Sequence, residues 1–186
     1  MGIIEYGRQF IGLQETTGSN RGPLVDKWKK EVSAPLETKP IPWCGVFVFA
    51  MILESTGLSR KQIATAMGFD VANWYPESAD SWLEQGKKAG RITKTPKRGD
   101  VFLLMAKNLN GEYSKVDAHH VGLCAEDVGL YEGRAFATLE GNTVPGSGNG
   151  HVSREGTSVA ARSRVYHQGA FVFISIPQVL KTAKGS

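Results

Sequence analysis

The chain has 186 residues, 41% of them apolar and 22% charged, and a formal net charge of +4, enough length for one well-formed core. Its longest apolar run, Val46 to Leu53, is too short to cross a bilayer, and no aromatic–basic interleaving or nucleic-acid motif accompanies the positive charge. A stable membrane insertion and a nucleic-acid partner are therefore not expected. The start, Met1 to Gly7, lacks the basic and apolar stretches of a signal peptide, so the chain is expected to be made in the cytoplasm. Lys87, Lys88, Arg91, Lys94, Lys97 and Arg98 form a basic stretch that reads as a solvated helix end and loop.

Ile3, Ile4, Gly7, Phe10 and Ile11 follow the spacing of one buried helix face. Leu24, Val25, Trp28 and Val32 predict a second helix, capped by Ser19 or Asn20 and with Pro23 in its first turn. Pro35, Pro40 and Pro42 make residues 33–42 a loop. Pro42-Trp43-Cys44-Gly45 then runs straight into eight apolar residues, a pattern open to a buried strand or a buried helix. Pro42 at its start and its extension through Glu54 favour a central helix. Ser59-x-x-Gln62 is a capping box opening a short helix to Met67. Ala79, Trp82, Leu83 and Gly86 mark another helix, begun at Pro76 and stopped near Gly90.

Beyond Gly99-Asp100 the pattern changes to strands at Val101–Met105, His120–Ala125, Ala135–Leu139 and Ala170–Ile176, with Pro145–Gly150 as a flexible surface loop. Helices first and an antiparallel sheet second predict an α+β domain spanning residues 1–186.

Cys44 and Cys124 lie eighty residues apart, which is neither a disulfide framework nor paired zinc spacing. A cysteine in the first turn of a buried helix feels the positive end of the helix dipole, which favours the thiolate. The backbone N–H groups exposed there can also hold an oxyanion. On position alone, a nucleophile and a buried structural thiol are equally supported.

His120, at the start of its strand, projects from the sheet rim towards a packed helix, while alternation sends His119 to the other face. That weakens a zinc reading from His119, His120 and Cys124, and Cys124 reads as a core thiol. Glu140 and Asn142, spaced by two, share one side of a strand. Either could accept the Nδ1 proton of a histidine and orient it, as a third triad member does.

Together, Pro42-Trp43-Cys44-Gly45-x-Phe47, Pro96-x-x-Gly99-Asp100, His120-Val121-Gly122-Leu123 and Glu140-Gly141-Asn142-Thr143 fall in an order that resembles the CHAP domain. This is the papain-like, NlpC-type amidase and peptidase module of phage lysins and bacterial wall hydrolases. Glu15-x-x-Gly18-Ser19-Asn20-Arg21-Gly22-Pro23 resembles the N-terminal segment of a phage-associated subgroup, and the likeness runs from about residue 3 to residue 176. It implies a papain-like fold with N-terminal helices on a central antiparallel sheet. It implies Cys44 as nucleophile, His120 as general base and acid, Glu140 orienting His120, and Asn142 assisting. Trp43, Asn20 and Arg21 would line the substrate groove.

The implied partner is bacterial peptidoglycan, cut by a monomeric enzyme after a holin, a phage particle or a secretion system delivers it. Amidases and endopeptidases both occur in the family. Some members hold calcium before the cysteine; here Asp26, Glu31 and Glu37 are too scattered for a cage, so no metal or other cofactor is expected. The competing readings are a cytoplasmic thiol amidase acting on a small peptide-like amide and a non-catalytic wall-binding module.

Overall fold

The computed structural model describes residues 1–16, 18–144, 146–147 and 156–182. Helix α1 (Ile3–Arg8) is shorter than the apolar spacing implied: the chain turns after Gln9, and Ile11 is exposed. Helix α2 (Pro23–Val32) has Pro23 in its first turn as expected, but its cap position is Gly22 and no side chain caps it. Ser19 and Asn20 therefore do not serve as its cap, and Asn20 adopts a left-handed backbone with φ 58°. A single 3₁₀ turn, Ala34–Leu36, interrupts the proline-rich loop.

The ambiguous apolar run is a helix, α3 (Cys44–Thr56), buried along most of its length and closed by a left-handed Gly57. Helix α4 (Arg60–Met67) starts with the reciprocal Ser59–Gln62 capping box. Helix α5 (Ala79–Lys88) begins three residues later than Pro76, because Ser78 supplies the cap by accepting from the Ser81 N–H. Among the described residues, no helix is long and apolar enough to cross a membrane.

The second half builds a sheet from β1 (Val101–Lys107), β2 (Tyr113–Cys124), β3 (Ala135–Thr143), β4 (Gly146–Ser147), β5 (Ser158–Val165) and β6 (Phe171–Ile174), followed by α6 (Gln178–Lys181). The spatial order is β4-β5-β3-β2-β1-β6. All neighbours are antiparallel except the two-residue β4, which runs parallel to β5. The coarse α+β class with an antiparallel sheet thus holds.

Two strand expectations change. Strand β2 begins at Tyr113, so His120 lies in its interior rather than at its start. Strand β5, eight residues long, falls in a stretch where the sequence pattern predicts no element. Of the expected surface loop, Gly146 and Ser147 form β4, while Pro145 and residues 148–150 lie outside the described residues.

Cross-strand partners share a sheet face, and the register divides the core accordingly. Val101, Leu103, Val121, Leu123 and Leu139 face α3 and its neighbours in the main core. Phe102, Cys124, Phe136, Phe171 and Phe173 form a smaller aromatic core on the opposite face. Strands β2 and β3 pair only at Leu123↔Leu139 and Cys124↔Thr138. Beyond that point the ladder ends, and the start of α3 packs against both strands, which positions Cys44 beside β2.

Candidate active site

Cys44 is the first residue of α3 and only 5% exposed. No side chain caps this helix start. The thiol accepts hydrogen bonds from the backbone N–H of Gly45 and Val121, and it meets the His120 side chain. Burial pushes the Cys44 thiol up, but the His120 hydrogen bond, its positive charge and the two N–H groups together outweigh burial and hold the thiol below its ordinary range.

His120 Nε2 lies 2.9 Å from Glu140 Oε2, so Nδ1 is the nitrogen left for the thiol. The ring is therefore turned the other way from the sequence expectation, in which Nδ1 met the carboxylate. The reason is placement: His120 sits inside β2 with Cys44 on one side and Glu140 of β3 on the other. Burial pushes His120 down, but its bonds to Cys44 and Glu140 win and raise it to about 9. The two shifts both favour a thiolate–imidazolium pair over the neutral pair. The His120 ring also packs 6.2 Å, centroid to centroid, from Phe102 of the aromatic core.

Glu140 is fully buried and its carboxylate is saturated. Thr138 Oγ1 donates to Oε1 at 2.6 Å and Thr143 Oγ1 donates to Oε2 at 3.2 Å. Arg164 donates through Nε to Oε1 at 2.8 Å and through Nη2 to Oε2 at 2.5 Å, a two-pronged grip. Burial pushes Glu140 up, and the bonds and charges of His120 and Arg164 bring it well below the usual carboxylate range. Gly122 makes this approach feasible: a Cβ there would stand 2.6 Å from the Phe102 ring and 3.0 Å from Glu140 Cγ.

A cleft of about 300 Å³ opens over the thiol between Ile41, Pro42 and Cys44, residues 77–80 and residues 117–120. Asp80 Oδ1 accepts from the Ala118 N–H at 2.6 Å, tying α5 to β2 across its end. Glu77, Asp80 and Asp117 line it, so the approach to Cys44 is acidic although the chain is basic overall. His119 lines the cleft together with His120. Register explains this departure from simple alternation: Leu104 pairs with His120 and Met105 with Ala118, leaving His119 as an extra bulged residue.

The structure brings Cys44, His120 and Glu140 together. Asn142 is buried near the end of β3 with a left-handed φ of 53°, and the β3–β5 register slips between Glu140 and Thr143. The alternation that put Asn142 on the Glu140 face does not carry through that slip. None of Trp43, Asn20 and Arg21 lines the cleft. Trp43 is fully buried and donates from Nε1 to Glu15 Oε1 at 2.7 Å, while Glu15 Oε2 accepts from the Asn20 N–H at 2.8 Å. Arg21 pairs with Asp26 at 2.8 Å and donates to the Thr38 carbonyl at 2.9 Å. These residues brace the segment that leads into Cys44.

Cys124 is a free thiol in the aromatic core, pushed up by burial first and by the Asp100 charge second. Sequence reasoning missed Arg164, Thr138 and Thr143. The usable signal for Arg164 was the alternation Ala160, Arg162, Arg164 between Val159 and Val165, a period-2 pattern without Gly or Pro.

Comparison with protein families, with curated proteins and with solved structures finds no match to this chain.

Proposed function

We propose that this chain is a cysteine-dependent amidohydrolase or peptidase that cuts an amide bond of bacterial peptidoglycan. The observation that carries the reading is the buried relay of Cys44, His120 and Glu140 at the floor of an open cleft. A structural thiol has no use for a protonated histidine partner, an oriented carboxylate and an access route. The order of the four motifs, which resembles the CHAP domain, supplies the substrate class.

In this reading the Cys44 thiolate attacks the carbonyl carbon of an amide lying in the cleft. Backbone N–H groups at the start of α3 hold the oxyanion. His120, protonated at rest, delivers its Nδ1 proton to the leaving amine, and the acyl group stays on sulfur as a thioester. A water molecule then attacks the thioester, His120 takes its proton, and the carboxylic acid product departs. Glu140 keeps the imidazole ring oriented and stabilises its positive charge throughout.

Purified sacculi digested with the wild-type protein and with Cys44→Ala, read by mass spectrometry, test the proposal. Wild type should release muropeptide fragments that Cys44→Ala does not, and their masses separate amidase from endopeptidase cleavage. Equal fragment release by both proteins would refute the thiol mechanism, and none from either across several wall chemotypes would refute the wall substrate.

A further inference from the structure

We propose that Arg164 is a positioning residue of this thiol site, gripping both oxygens of Glu140 so that the carboxylate stays ionised and aimed at His120, which in turn keeps Cys44 charged. The inference rests on reading Cys44 as the nucleophile. It does not depend on which amide is cut.

Four ionisable groups contact one another in series: Cys44 from α3, His120 from β2, Glu140 from β3 and Arg164 from β5. The last link is the least exposed to solvent, with side-chain exposures of 1% for Arg164 and 0% for Glu140. Register accounts for the placement: Phe136 pairs with Arg164 and Glu140 with Ala160, so residues 160, 162 and 164 share the Glu140 face. Burial is the strongest influence on Glu140 and favours its neutral form. A neutral Glu140 would offer His120 no negative charge, and the proton now on His120 would be free to return to the thiol.

Other charged groups do not substitute for this grip. Arg162, the neighbouring cation on β5, directs Nη1 to Thr143 Oγ1 at 3.0 Å and to the Val144 carbonyl at 2.9 Å. Lys107 of β1, His119 of β2 and His167 line a separate cavity of about 210 Å³ that Arg164 also borders. Lys107 there stacks over the Tyr113 ring, and His167 pairs with Glu132. Thr138 and Thr143 add hydrogen bonds to Glu140 but no charge.

The alternative is that Arg164 only fastens β5 to β3. That role predicts lower thermal stability with no change in how Cys44 ionises. The discriminating measurement needs no wall substrate: site-resolved alkylation of Cys44 by iodoacetamide across pH, with buried Cys124 as internal control. It is run on folded wild type, Arg164→Met, Arg164→Lys, Glu140→Gln and the combined Glu140→Gln, Arg164→Met variant.

Arg164→Met should raise the Cys44 midpoint by about one pH unit, making alkylation roughly tenfold slower at any pH below both midpoints. Arg164→Lys should recover part of the shift, since it keeps the charge and loses the fork. Glu140→Gln combined with Arg164→Met should shift no further than Glu140→Gln alone. A wild-type midpoint in folded Arg164→Met would overturn the proposal; should that variant fail to fold, a wild-type midpoint in folded Glu140→Gln would do so, since Arg164 acts through that carboxylate. Because sacculi are absent, failure of the wall reading leaves this result untouched, and the reverse also holds.

Discussion

Gly45→Ala tests whether the cleft over Cys44 is shaped by contact with the start of α3. An added Cβ would stand 2.3 Å from the Pro76 carbonyl oxygen and 3.0 Å from the carbonyl carbon and oxygen of Glu77. Ordinary contact begins near 3.4 Å, so the wall must retreat by about one ångström. The obstructing atoms are main chain, and no rotamer change relieves them. That same Pro76 carbonyl accepts a 2.8 Å hydrogen bond from Nε1 of fully buried Trp82. Overpacking of this kind costs about 1–3 kcal/mol, and losing the Trp82 bond adds roughly 1 kcal/mol. A total of about 2–4 kcal/mol lowers Tm by about 4–16 °C for a domain of this size. Displacing one cleft wall by about an ångström from the thiol should slow turnover about 100-fold. Thermal melting by circular dichroism and the initial rate of sacculus clearing read the two effects, with Cys44 alkylation reporting access. Wild-type Tm together with wild-type rate would refute the argument that this glycine sets the cleft.

Two further outcomes follow from the ionisation of the site. Activity should persist through neutral pH and fall as pH rises through about 9, where His120 loses the proton it gives to the leaving amine. Rate profiles on sacculi check this, and an alkaline limb near 6.5, the ordinary histidine value, would refute the paired state. Stability should not track that limb. The raised His120 contributes stability that is full below 6.5 and lost as pH climbs to about 9. The lowered Cys44 contributes in the opposite sense, gaining as pH rises towards 9.0. Between 6.5 and about 9, wherever the folded thiol has ionised, folded and unfolded chains each hold one proton on this pair, so Tm should stay level across that interval on their account. Cys124→Ser should keep full activity and lose about 1–3 kcal/mol of stability, because it places a hydroxyl in the aromatic core. Loss of activity in a folded Cys124→Ser protein would contradict its assignment to that core.

The parts of the site that were legible in sequence are those governed by local chemistry. Pro42 followed by an apolar run and a cysteine identified the start of α3, and the Ser59–Gln62 box located the start of α4 to the residue. Partners supplied from elsewhere were not legible. Arg162 and Arg164 disfavour a strand assignment because charged residues are rarely buried in sheets; Glu140, Thr143 and the Val144 carbonyl help make them tenable there. The bulge at His119 is a property of register against β1, which no spacing within β2 encodes. Trp43, Asn20 and Arg21 were expected in the groove from resemblance to family motifs, and the cleft lining does not include them. Which way they point depends on Glu15, Asp26 and Trp28, residues that close around them only after folding.

The cost of the Glu140–Arg164 pair is itself an argument about purpose. Two opposite charges taken out of water lose several kcal/mol of hydration each, and a well-packed apolar replacement of similar volume is often as stable or more so. The surroundings here would readily accept one, since Phe102, Phe136, Phe171 and Phe173 already fill this side of the sheet. Stability alone therefore gives no reason to retain four bonds from Arg164, Thr138 and Thr143 on one carboxylate. What an apolar pair cannot provide is a fixed negative charge 2.9 Å from His120 Nε2. In low-dielectric surroundings that charge acts strongly on the imidazole and is poorly screened by salt. In the proposed mechanism the aromatic core is thus more than filler: by keeping water from Glu140 it lets a single carboxylate favour the protonated His120, and through it the Cys44 thiolate, at the floor of the cleft.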